Sequence, residues 1–307
     1  MADPKGKVPP RTTLRMGTAQ ANTPSDGTLL GDDSLDVIES MALPRDTAPR
    51  EAVGASSGSS RFLDPKDPRL ATKILPKVQQ APEPDPVRNH VWVATHERPP
   101  SPDPRLILLR DPDSNQAAAF RVLRHRLASA GDPRVIVVSS PNRGDGKTTT
   151  AVNLAMALGE CNRARVLLIE ANLRTPSLAK LFGFQPPICF SEQLAVHRER
   201  PLEQWSIVEV YSPALHVLAV DPVRGGRPLL DVPAYVVAMD TLRRSGYDYI
   251  VIDTPPILGS ADVNLIEEQG DGLLMVVRAG ETRARSIRTA LDQVGTSRFL
   301  GFAMLDV

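Results

Sequence analysis

The chain has 307 residues, with 36 Lys plus Arg against 36 Asp plus Glu and so no net charge. That balance gives no general attraction to nucleic acid or to an anionic membrane, and no nucleic-acid partner is expected. No aliphatic run nears the roughly 20 residues of a spanning helix, no opening stretch has the flank and run of a signal peptide, and the two cysteines, Cys161 and Cys189, lack metal-ligand spacing, so a cytoplasmic protein is expected.

Residues 1–104 hold sixteen of the 29 prolines and only two aromatics, Phe62 and Trp92. Such a composition buries too little apolar surface to offset the entropy of ordering the chain. It predicts a disordered Pro-rich arm over 1–104 and one folded domain over 105–307. Two islands interrupt the arm: Leu35, Ile38 and Met41, then Leu70, Ile74, Leu75 and Val78. Their near-helical spacing reads as residual linker hydrophobicity or as a docking peptide that folds on a partner.

Beyond Pro104 the pattern changes. Residues 111–130 read as a helix, with Ser114 as N-cap and Phe120, Leu123 and Leu127 on one face. Arg121, Arg124 and Arg126 point elsewhere, and with His125 they read as a solvated face, or else as a surface for an acidic partner. Val135–Ser139 is a short buried strand, followed by a Gly-rich turn and a helix from about Thr148 to Glu160. Further strands are expected at Arg165–Glu170, Leu215–Val220, Tyr249–Asp253, Leu273–Val277 and Phe299–Leu305, with helices including Val232–Arg244 and Thr282–Val294. Short aliphatic strands alternating with helices predict a three-layer α/β domain with a mainly parallel sheet. Roughly 200 residues suffice for one core. His216 falls in a strand and reads as structural. Cys189, after Pro186-Pro187, reads as a small buried hydrophobe.

The stretch from Val135 to Ala155, VIVVSSPNRGDGKTTTAVNLA, carries the chemistry. A buried strand runs into Gly144-Asp145-Gly146-Lys147-Thr148-Thr149, and a helix begins at once. Glycines let backbone N–H groups turn toward an anion, and the helix start adds free donors and positive dipole. Lys147 can reach terminal phosphates and the Thr148 hydroxyl can ligate Mg²⁺. This is a P-loop with one departure, Pro141 in place of the first glycine. A P-loop predicts a second acidic strand end. Tyr249-Ile250-Val251-Ile252-Asp253 supplies it, and Thr254-Pro255-Pro256 stops the strand. Asp253 would hold the metal.

GDGKTTTAVNLA, VLLIEANLRTPSLAKLFG, YDYIVIDTPPILGSADVNLI, DGLLMVVRAGETRARS and LGFAMLDV together resemble the bacterial tyrosine kinases (BY-kinases) of capsule and exopolysaccharide synthesis, within the MinD/ParA-like group of P-loop proteins. The resemblance runs from about residue 104 to the C-terminus. It implies a three-layer P-loop NTPase fold, ATP and Mg²⁺ as cofactors, and tyrosine phosphorylation. It also implies a membrane activator or polysaccharide co-polymerase as partner and a possible homo-oligomer. Localisation would be cytoplasmic, with recruitment by the partner to the inner face of the plasma membrane.

Four features depart from that pattern. The family's second acidic motif reads Glu170-Ala171-Asn172-Leu173-Arg174. Glu170 keeps a carboxylate and is the surviving candidate for orienting an incoming hydroxyl, Arg174 is either a phosphate contact or a solvated arginine, and neutral Asn172 cannot act as a base. None of the four tyrosines lies in residues 250–307, where the family carries a phosphorylated tail. Arg121 and Arg124 fit the family's oligomer helix, but Ala118 replaces its glutamate. No membrane segment is fused, so the activator is expected to be a separate protein. Asn142 stands where the related positioning ATPases carry a signature lysine. Two alternatives to the kinase follow: a nucleotide-gated adaptor that transfers little phosphate, and a MinD/ParA-like positioning ATPase.

Overall fold

The computed structural model describes residues 91–96, 101–221 and 230–306; the two apolar islands of the arm lie outside them. In chain order the elements are β1 (Val91–Thr95), α1 (Ile107–Arg110), α2 (Asn115–Ser129), β2 (Val135–Ser139), α3 (Lys147–Leu158), β3 (Val166–Glu170), α4 (Leu178–Phe182) and α5 (Phe190–Glu199). They continue as β4 (Trp205–Glu209), β5 (Leu215–Leu218), α6 (Val232–Arg244), β6 (Tyr249–Asp253), α7 (Asp262–Glu268), β7 (Gly272–Arg278), α8 (Ala284–Val294) and β8 (Phe299–Leu305). The eight strands form one sheet in the order β1-β4-β5-β3-β6-β2-β7-β8. Every pairing is parallel except β4 with β5.

Alternation along the strands divides the core into two layers. Ile136, Val138 and Leu168 face α1 to α4, whereas Val135, Val137, Leu167 and Ile169 face α5 to α8. This is the three-layer α/β fold expected from the run of aliphatic strands. The start of α2 follows its sequence: Ser114 Oγ accepts the Ala117 N–H at 3.2 Å, and Phe120, Leu123 and Leu127 are buried. Asp231 likewise caps α6 through Ala234 N–H at 3.2 Å, with a proline in the first turn.

The structure departs from expectation in three places. Val91–Thr95, inside the segment read as disordered, pairs with β4 as an edge strand. The domain boundary drawn near residue 105 therefore falls after an element of the sheet. Five residues of β-favouring sequence are outweighed when composition is averaged over a Pro-rich hundred. Strand β4 is not among the strands the sequence predicts, and it runs antiparallel to β5 because a tight turn joins the two. Finally, Arg121 and Arg124 of α2 are engaged within the chain rather than solvated. Arg121 forks onto Glu160, just beyond α3, with Nη2 at 2.6 Å and Nε at 3.0 Å. Arg124 Nη1 donates to Ala157 O at 2.6 Å. Their acidic counterpart lies in the same chain and fastens α2 to α3.

Candidate functional site

Strand order brings the two acidic strand ends together. β6 lies between β3 and β2, and Asp253 stands opposite Val138 on one side and Glu170 on the other. The P-loop leaves the same end of the sheet, where α/β folds place their ligands. Gly144 and Gly146 both adopt φ +94°, a conformation that side chains with a Cβ rarely reach. A Cβ on Gly146 would collide with Leu305 Cδ1, at the end of β8. Gly146 is the N-cap of α3 and offers no capping side chain, so the first-turn N–H groups of the helix keep their donors. Asp145 closes the loop internally, its Oδ2 accepting Asn142 N–H at 2.8 Å. The strand end that leads into the loop is held by the segment after β6: Thr254 Oγ1 donates to Val138 O at 2.9 Å, and Ser139 Oγ to Pro255 O at 2.8 Å.

At the centre, Thr148 Oγ1 donates to Asp253 Oδ2 at 2.8 Å. Asp253 is fully buried, and its other oxygen, Oδ1, has no hydrogen-bond partner among the described residues. Burial pushes the Asp253 carboxyl up to about 6, against the pull of Lys147, Thr148 and Arg105. Lys147 is also buried, at 7% exposure. A buried carboxylate oxygen with no partner is costly unless a cation or proton meets it. A divalent ion suits this pair of a hydroxyl and a carboxylate.

Glu170 behaves differently. Its Oε1 accepts N–H groups from Ser177 and, at 2.8 Å, Leu178; its Oε2 accepts Val220 N–H at 3.0 Å. The side chain is wholly buried, and desolvation raises its carboxyl to about 7 despite those donors. The candidate for orienting an incoming hydroxyl thus has both oxygens taken by backbone. Its donors come from α4, the residue before it and the segment after β5, too far along the chain for local spacing to reveal. Asn172 is nearly buried and exchanges hydrogen bonds with Thr175, from Nδ2 to Thr175 Oγ1 at 3.0 Å and from Thr175 Oγ1 to its Oδ1 at 3.1 Å. Arg174 is half exposed and pairs with Asp262 at 3.6 Å. Thr149 presents its carbonyl to Asn153 Nδ2 at 2.8 Å.

A cleft of about 420 Å³ lined by Arg134, Arg243, Tyr247 and Asp248 opens at the opposite end of β2 and β6. Its Arg243 is bonded to Asp271 and to Gln269 O, and none of the P-loop residues faces it.

The family model ParA, described as NUBPL iron-transfer P-loop NTPase, matches residues 133–292. Tyrosine-protein kinase YwqD of Bacillus subtilis (strain 168) is 27% identical over 204 residues, 65% of this chain and 84% of the relative. Among solved structures, the BceF tyrosine kinase domain is similar with a TM-score of 0.51 and 26% identity, covering 65% of this chain and 81% of that one. The kinase domain of Escherichia coli tyrosine kinase ETK shares the fold at a TM-score of 0.57 and 22% identity, over 68% of this chain and 81% of that one.

Proposed function

The chain belongs to the ParA family of P-loop NTPases, and on that footing we propose that it is an ATP- and Mg²⁺-binding protein of the BY-kinase type, serving exopolysaccharide synthesis or its regulation. Family membership implies nucleotide binding. The kinase reading draws on relatives named as tyrosine-protein kinases. The observation that carries the proposal is Asp253, a buried carboxylate with one oxygen on Thr148 and the other unpartnered among the described residues.

In this reading Gly144, Asp145, Gly146, Lys147, Thr148 and Thr149 form the phosphate cradle, and Thr148 and Asp253 hold Mg²⁺. When bound, ATP and Mg²⁺ supply the phosphoryl group and offset its charge. Lys147 brings an ammonium to the terminal phosphates, and the N–H groups of the loop and of the first turn of α3 supply donors. Arg174 is assigned to the rim, steadied by Asp262. Glu170 is assigned a positioning role, fixing the end of β3 beside Asp253 through the backbone it binds.

Among the described residues no helix is long and apolar enough to cross a membrane. A separate membrane activator or co-polymerase is the proposed partner, recruiting a cytoplasmic protein to the inner face of the plasma membrane. A homo-oligomer in this scheme uses surfaces other than Arg121 and Arg124, which Glu160 already holds.

One observation favours a second reading, a nucleotide-gated adaptor with little phosphoryl transfer: Glu170 is engaged by three backbone donors and Asn172 is neutral. Neither residue presents a free carboxylate to an acceptor hydroxyl. Incubation with radiolabelled ATP and Mg²⁺, with and without candidate membrane partners, separates the two. Label on protein tyrosine is the kinase outcome. Tight ATP binding without label is the adaptor outcome. No ATP binding at all would sink both.

A further inference from the structure

Just before α1, Asp103-Pro104-Arg105-Leu106 forms a tight turn closed by Leu106 N–H to Asp103 O at 3.0 Å. The sequence suits it: aspartate at the first position and proline at the second are favoured turn residues, and proline fixes its own φ. Asp103 Oδ1 also accepts the Arg105 N–H at 2.9 Å, a side-chain turn that reinforces the backbone one. The same carboxylate grips the Arg105 head group, from Nε to Oδ1 at 2.9 Å and from Nη2 to Oδ2 at 2.8 Å. Backbone and guanidinium are therefore both fixed by one aspartate.

The turn is tied to the P-loop helix by Asn153, which is fully buried. Its Nδ2 donates to Arg105 O at 2.7 Å and to Thr149 O at 2.8 Å. Its Oδ1 accepts the N–H groups of Ile107 at 2.8 Å and Leu108 at 3.2 Å. One amide group thus separates the backbone of Arg105 from the first turn of α3, next to Thr148. Asp103 occupies Nε and Nη2, and Nη1 makes no hydrogen bond to the described residues. The Asn153 bridge thus sets Arg105 beside the start of the helix that carries Lys147 and Thr148.

We propose that Arg105 is a second cation of the phosphate site, contacting a phosphate oxygen of the bound nucleotide alongside Lys147. A guanidinium stays charged and offers planar donors suited to phosphate. Asp103 serves as its holder, limiting the rotamer freedom lost on binding. The inference rests on the P-loop reading above and adds a ligand contact from outside the P-loop motif.

The test is calorimetric titration of the full chain with MgATP and MgADP, comparing the parent with Arg105→Ala, Arg105→Lys and Lys147→Ala. We expect Arg105→Ala to weaken ATP about tenfold or more. Its melting temperature without nucleotide should be unchanged, because the Asp103–Arg105 pair is partly exposed. Arg105→Lys should recover only part of the affinity, since an ammonium cannot keep the fork. A loss confined to ATP locates the contact at the terminal phosphate, and an equal loss for ADP locates it further in; either supports the proposal. Where the alanine variant melts below the assay temperature, Arg105→Gln takes its place. Parent-like binding by Arg105→Ala while Lys147→Ala has lost both nucleotides overturns the proposal alone. Parent-like binding by Lys147→Ala overturns the P-loop reading with it.

Discussion

Glu170 and Asp253 are neighbours across one strand pair, yet their surroundings give them different work. Asp253 has an oxygen without a protein partner, whereas Glu170 spends both oxygens on N–H groups from Ser177, Leu178 and Val220. An amide at position 170 keeps one oxygen acceptor and turns an NH₂ toward backbone donors. Glu170→Gln should therefore lower the unfolding free energy by about 1–3 kcal/mol, read from urea unfolding without nucleotide. Unchanged stability with lost turnover would instead assign Glu170 to the chemistry. The two residues also mark how far the sequence reaches at this scale. The P-loop and Asp253 are legible because local strand, turn and helix signals surround them. The role of Glu170 is not, because its donors sit seven to fifty residues away. Arg105 escapes notice for a related reason: nothing in Pro102-Asp103-Pro104-Arg105 announces that Asn153 will carry it to the phosphate loop.

Among the elements, α3 does the organising. It presents Lys147 and Thr148 at its start, while Asn153 pins residues 105–108 against its flank. Asn153→Ala would strand the N–H groups of Ile107 and Leu108 and the Arg105 carbonyl in a region of low exposure. The expected loss is about 2–4 kcal/mol of stability, with faster hydrogen exchange at Ile107 and Leu108 amides. Exchange at those amides as slow as in the parent would show that Leu106 and Leu108 anchor the segment by burial alone. Elements with strong hydrophobic runs and clear caps, such as β2, β6, α6 and β8, have the bounds their sequences predict. β1 and β4 do not stand out. β1 is a five-residue edge strand with Trp92 half exposed, embedded in a Pro-rich stretch. β4 owes its direction to the turn that follows it, and its Trp205 is buried against His197 from α5, a contact between separate elements.

For the molecule as a whole, the sheet has a nucleotide end and an opposite end, and the two respond to different variables. At the opposite end of β5, His216 Nδ1 lies 2.7 Å from Tyr247 Oη. Burial first, and then the charge of Arg165, push its pKa down to about 4. The folded protein thus keeps His216 neutral where the unfolded chain, titrating near 6.5, takes up a proton. The unfolded state binds more protons between these values, so this contribution to stability is lost as pH falls from about 6.5 through 4. His216→Gln should flatten the decline of unfolding free energy over that range. A slope identical to the parent's would remove His216 from the acid response. The nucleotide end depends instead on phosphate and cation. Titration of the full chain with MgATP against Lys147→Ala tests that claim most directly. The account predicts saturable binding by the parent and a loss of about 100-fold or more in the variant. Equal affinity in the two proteins would contradict it.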